Sequence, residues 1–145
     1  STDYFEQFRD LRNHLEGAYF LESAAKLTKS DIDKLNSIVL KAEEKIISTP
    51  PKLPHTEHRE FHGKIFSKIK NPFVQSIFSV YWDIYEYQGY AIINDQDYLK
   101  RVWHYHRLVL EGIQAGNIHQ ALAAFLEHKD LMIKNKKSVP SQTFE

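Results

Sequence analysis

Eight histidines occur in this 145-residue chain, and four of them fall where imidazole chemistry would be concentrated. His58 and His62 are four residues apart, so on a helix their side chains stand one turn apart on the same face. That face continues through Ile65 and Ile69. His106 shares a helical stripe with Leu99, Val102, Trp103, Leu110 and Ile113. His128 lies one turn beyond Phe125 and one turn before Met132. All four therefore project from stripes that should face a core. A buried imidazole needs a hydrogen-bond partner or a metal ion. A single one is more often a satisfied core residue. Four converging from three helices are hard to satisfy by ordinary hydrogen bonds, and inward-facing ligands on neighbouring helices are how bundles form metal sites. Imidazole suits zinc, nickel, copper and iron, so the ligand type alone does not name the ion.

The elements that must position these residues read as helices throughout. Apolar residues recur at helical spacing, and no segment alternates as a strand would. A first helix is predicted over about Asp3–Leu27, with Tyr4, Phe8, Leu11, Leu15 and Ala18 as its stripe. Thr28 followed by Asp31 reads as a capping box opening a second helix, whose stripe is Ile32, Leu35, Val39, Ala42 and Ile46. The proline-rich run from Ser48 to Pro54 is a loop. A third helix is predicted from near Thr56 to just before Asn71-Pro72, and Pro72 suits the first turn of a fourth. That fourth helix carries Phe73, Ile77, Phe78, Tyr81, Ile84 and Tyr85. Asn94-Asp95 marks the next break, Gly116 stops the fifth helix, and Asn117 caps a sixth bearing Ala121, Leu122, Phe125 and Leu131. The expected fold is all-α, an antiparallel bundle of six or seven helices. Residues 1–135 should form one domain, and 136–145 a disordered polar tail.

Bulk properties narrow the function. Nineteen basic residues balance nineteen acidic ones, which argues against direct phosphate binding by this chain. Lys134, Lys136 and Lys137 read as a solvated helix end. The absence of cysteine excludes disulfides and thiolate ligands. No apolar run is long enough to span a bilayer, and the first ten residues are unlike a signal peptide. A cytoplasmic protein with no membrane partner is the expectation. His14, His55, His104 and His119 fall beside polar or loop positions and carry no assigned role.

An ordered set of residues resembles a known family. Phe61-His62 followed by Asn71-Pro72 resembles a Phe-His and Asn-Pro pair of the FCD domain, the C-terminal effector-binding half of FadR-type GntR transcription regulators. His106-Arg107-Leu108, Ala115-Gly116-Asn117, Ala121 and His128 are similar to its second signature. Leu11-Arg12, Leu15-Glu16, Ala24-Ala25 and the helix opening at Thr28–Leu35 are similar to its first helices. The resemblance runs from about Phe8 to Lys134. It implies a divalent transition metal, zinc or nickel, held by three histidines corresponding to His62, His106 and His128. It also implies an aspartate four residues before His62, where this chain has His58. That departure leaves a four-histidine site, a three-ligand site or a metal-free site as alternatives, of which retention with His58 as fourth ligand is the expectation. Four neutral imidazoles would leave the ion's charge unneutralised and favour an anionic effector.

The resemblance further implies a small carboxylate effector, a homodimer, and DNA binding only through a winged-helix domain that is not in this chain. Arg12 matches a family arginine placed near the pocket, although a salt bridge with Glu16 four residues on explains it equally well. Tyr81 and Tyr85 are candidates to line an effector cavity with hydroxyls, against the plainer reading as core aromatics. A metal-dependent enzyme would need a general base beside a metal-bound water, and Glu57 and Glu60 should point away from the histidine face. A metal-free helical interaction module is the remaining alternative. The function expected is ligand sensing that controls an upstream DNA-binding domain, without catalysis.

Overall fold

In the computed structural model, which describes residues 2–87 and 95–138, the chain forms six α-helices and, among those residues, no strand. The helices are α1 (Thr2–Ala24), α2 (Lys29–Ile47), α3 (His55–Ile65), α4 (Pro72–Tyr87), α5 (Gln96–Gln114) and α6 (Ile118–Ser138). α6 continues past Lys136, three residues into the expected tail. Asn94, residues 139–145 and the side chains of Leu131, Met132, Lys134, Lys136 and Lys137 lie outside the described residues.

Local chemistry explains the boundaries. Thr28 and Asp31 form the expected capping box: the Asp31 N–H donates to Thr28 Oγ1 at 3.2 Å, and the Thr28 N–H donates to Asp31 Oδ2 at 2.8 Å. Asp95 caps α5 by accepting from the N–H groups of Asp97 and Tyr98. Pro72 is the first residue of α4, with Asn71 Oδ1 accepting from the N–H groups just inside it. α3 is shorter than its periodicity suggests, ending at Ile65 instead of near Lys70. Side chains from other helices satisfy the backbone there. Ser23 Oγ donates to the Ile65 carbonyl at 2.6 Å, and Gln75 Nε2 donates to those of Phe66 and Ile69.

α5 and α6 are the most closely paired helices. Three residues join them, which forces an antiparallel hairpin. Gly116 takes φ 73° at the turn, and the Asn117 N–H reaches back to the Gly112 carbonyl at 2.8 Å in a Schellman closure. Gly112 lies where the helices touch: a Cβ there would come within 2.9 Å of the Ala121 backbone nitrogen. Counting outward from the turn, Gly112 faces Ala121 and His106 faces His128. The turn thus sets the pairing of two candidate ligands. α2 packs on α5 and α3, and α1 packs on α6 and α4.

The main core gathers Phe20, Leu35, Val39, Phe61, Leu110 and Phe125 with their neighbours, and a smaller cluster joins Phe5, Tyr81 and Trp82. The stripe predicted for the first helix is corrected. Tyr4 is 74% and Leu11 43% exposed, and Ala18 is exposed as well. The face that α1 buries instead runs Phe5, Arg12, Glu16, Phe20 and Ser23. An apolar-periodicity reading places charged residues outside, and here two charged residues occupy the inner face because they pair with each other. Phe73, counted with the fourth helix's aromatics, is 79% exposed, and Val74 takes the inner position.

Candidate metal centre

α3, α5 and α6 bring the four histidines together. His58 and His62 stand one turn apart and meet edge to face, with ring centroids 4.9 Å from each other. His106 lies 4.4 Å from His128 and 5.7 Å from both His58 and His62. One ring nitrogen from each falls within 4.8 Å of the others. His62, His106 and His128 are buried, and His58 is half-buried.

The donor set fits a metal ion. His58 Nε2, His62 Nε2 and both ring nitrogens of His106 and His128 are buried without a hydrogen-bond partner. Leaving such atoms unmet costs about 1–3 kcal/mol each, so a shared acceptor of four lone pairs accounts for the cluster better than packing does. Metal–nitrogen bonds of ~2.0–2.1 Å place tetrahedral donors about 3.3–3.4 Å apart, so nitrogens spread over as much as 4.8 Å draw together by about 1.4 Å when an ion binds. Burial, with the mutual repulsion of the rings and Arg12, holds the His58 and His106 imidazoles well below their usual basicity and His128 down at about 3. The rings are therefore neutral at pH 7, the form that binds metal.

Behind His62 stands a carboxylate. Glu16 Oε2 accepts from His62 Nδ1–H at 2.6 Å, with both side chains buried. This fixes the tautomer that turns the Nε2 lone pair toward the other imidazoles. Glu16 in turn faces Arg12 Nε at 3.3 Å. Burial alone would raise the Glu16 pKa, but His62 and Arg12 outweigh it and bring the carboxyl down to about 2. On α6, Lys129 donates to the Asn13 carbonyl and lies 4.7 Å from the Phe125 ring; burial pulls its ammonium down to about 8.

The candidate effector residues occupy one side of this centre. Arg12 is buried, with its guanidinium 4.4 Å from the Tyr81 ring and 5.2 Å from the Trp82 ring. Its Nη2 donates to Asn13 Oδ1 at 3.0 Å, and its Nη1 is buried without a partner. Tyr81 is fully buried and stacks on Phe5, and half-buried Tyr85 lies 5.8 Å from His58. Burial pushes the Tyr85 hydroxyl up to about 12. A separate cleft of about 730 Å³ follows α3, with Arg59, Gly63, Ser79 and Glu86 toward the surface, and meets the centre at Glu16, His62 and Trp82. Arg12, Tyr81 and Tyr85 do not line that cleft.

Of the acids near the histidine helix, Glu57 is buried against Lys45 and Glu60 is exposed, so neither serves the centre. His14, His104 and His119 are exposed and His55 is half-buried in its own segment. Sequence reasoning missed the roles of Trp82, Lys129 and Glu16 at the centre. For Glu16 a signal existed, the four-residue spacing from Arg12, but that spacing reads as a plain i,i+4 salt bridge with no link to the histidines. Lys129 follows His128 directly, and nothing in its spacing marks it.

A helical bundle that holds partnerless metal-competent nitrogens inside has the build of a ligand- or metal-binding domain. The FCD domain family matches residues 7–131, and the chain belongs to that family, the effector-binding domain of GntR regulators of the FadR type. Domains of this family sense ligands and do not catalyse. No curated protein and no solved structure matches the chain.

Proposed function

We propose that the domain senses a small carboxylate at a divalent metal, zinc or nickel, held by His58, His62, His106 and His128. The observation that carries this reading is the set of buried, partnerless ring nitrogens gathered within 4.8 Å. The bound metal would act as a Lewis acid toward the carboxylate. The residues do the rest. Glu16 fixes the His62 tautomer, the α5–α6 hairpin aligns His106 with His128, and Arg12 offers Nη1 as a charge-assisted donor beside the Tyr81 and Trp82 rings. Tyr81 and Tyr85 stand on that side of the centre. Because the centre joins three helices, a ligand that prefers one arrangement of them shifts the whole bundle. We place the regulated DNA-binding unit, a winged-helix domain, upstream of residue 1, and the protein in the cytoplasm. Among the described residues, no helix is long and apolar enough to cross a membrane.

Metal content of the purified protein, measured by mass spectrometry, tests this reading. About one transition metal per chain is expected, with loss in both His106→Ala and His128→Ala. No metal, and no thermal stabilisation by added zinc or nickel, would sink it.

The homodimer belongs to the same proposal. Tyr4 and Leu11 on α1, and Phe73, Val80 and Tyr87 on α4, are exposed and recur every seven residues, with half-buried Phe8 and Ile84 between them. α1 and α4 pack together, and their exposed apolar stripes are the surface we assign to a symmetric partner. Sedimentation should show a dimer that Val80→Glu converts to monomer. A wild-type monomer at micromolar concentration would refute it.

A further inference from the structure

Charge around the histidine cluster is lopsided. The group of side chains that can share one ion contains four imidazoles and, among the described residues, no carboxylate. Among the described residues, the buried acids are all committed elsewhere. Glu16 is shared by His62 and Arg12, Asp31 faces Lys64 and Lys68, and Glu57 faces Lys45. Against this, Arg12 and Lys129 place two cationic side chains beside the centre, and Arg12 Nη1 lacks an acceptor. Imidazoles bind metal as neutral ligands, so an ion here keeps its full double charge in a water-poor interior. Uncompensated charge of that kind is costly to bury. A bound anion would relieve both deficits at once, as counter-charge to the ion and as acceptor for Arg12.

We propose that metal and anion occupy this centre as a mutually dependent pair, each strengthening the other's binding, and that His58 imposes the dependence by holding a ligand position without charge. The proposal rests on the metal-binding reading above. Reciprocity is then a thermodynamic necessity: whatever factor the anion adds to metal affinity, the metal adds to anion affinity. The domain would respond to the conjunction of metal and carboxylate and weakly to either alone. An all-imidazole set also disfavours hard, oxygen-seeking ions such as manganese and magnesium.

The test is chelator competition for zinc in a perchlorate buffer, with and without acetate or formate, probes small enough to need no tailored pocket. Wild type and two variants, His58→Asp and His58→Asn, are compared after thermal melts establish that each folds. In wild type, acetate should tighten zinc binding about tenfold or more, within the usual range of coupling factors. His58→Asp supplies the missing charge itself, so its zinc affinity should be nearly independent of acetate and it should also retain manganese. His58→Asn matches aspartate in shape without its charge, so its zinc affinity should keep the acetate dependence. Zinc bound equally tightly with and without either anion would overturn the mutual dependence while leaving the metal site standing. Acetate dependence undiminished in His58→Asp would overturn the role of His58. No zinc bound under any condition would instead overturn the metal reading beneath it.

Discussion

Phe20, Phe61 and Phe125 are buried as completely as His62, His106 and His128, and the two sets lie against each other in one bundle. Their interiors differ in what burial accomplishes. Where Phe20, Phe66 and Phe125 meet, ring centroids lie 5.1–6.2 Å apart and the side chains carry no polar atom to satisfy. Around the histidines, packing is as close, yet ring nitrogens remain without partners. The apolar region is complete when the chain has folded. The histidine region keeps buried polar atoms unmet, which is the physical mark of a candidate site.

The largest effect that distinguishes the two regions should come from the apolar side. Phe125→Ala leaves a cavity where Phe20, Phe66, His62 and His128 converge and should cost about 3–5 kcal/mol in urea denaturation, with or without metal. A cost below ~1 kcal/mol would show the core to be far looser than its packing implies. On the polar side, Glu16→Gln removes the charge behind His62 and should weaken metal binding roughly 10–100-fold while stoichiometry is unchanged. Unaltered affinity would reduce Glu16 to a partner of Arg12 alone.

His106→Leu sharpens the contrast further, because the two regions then predict opposite signs. Removing two unmet ring nitrogens, at about 1–3 kcal/mol each, should stabilise the metal-free protein by about 2–6 kcal/mol while abolishing metal binding. A phenylalanine-like loss of stability in the metal-free state would mean that His106 is ordinary core.

The smallest expected effect lies away from both regions. Asp31→Ala removes the α2 capping box and should cost about 1 kcal/mol at pH 7. The Thr28 N–H, aided by Lys68, holds the Asp31 carboxyl below its ordinary value of 3.8. Its stabilising share is thus present above pH 4 and lost as pH falls through the lowered folded value. Thermal melts of wild type and variant should converge on acidification; a constant gap would assign the cap no charge dependence.

Much of this was legible in the sequence, and the illegible parts share a cause. Helix count, the Thr28–Asp31 box, Pro72 at a helix start and the Gly116 stop are local signals, and local signals survive folding. The four histidines were legible because each shares a stripe with neighbours such as Trp103 and Phe125 that only a core explains. The inner face of α1 was not. Arg12 and Glu16 look like a simple i,i+4 ion pair, and only the positions of His62 on α3 and Trp82 on α4 reveal that the pair is buried behind the histidines. The early end of α3 was equally hidden, since Ser23 reaches the Ile65 carbonyl from α1, far off in sequence, and Gln75 reaches back from the next helix. Information carried by long-range pairing of polar groups has no periodicity to read.

X-ray absorption at the metal edge of the loaded protein tests the central claim most directly. Four imidazole nitrogens at about 2.0–2.1 Å, with the outer-shell scattering of the rings and a light-atom ligand added on exposure to acetate, is the spectrum expected. A shell of oxygen atoms without imidazole scattering would contradict the account.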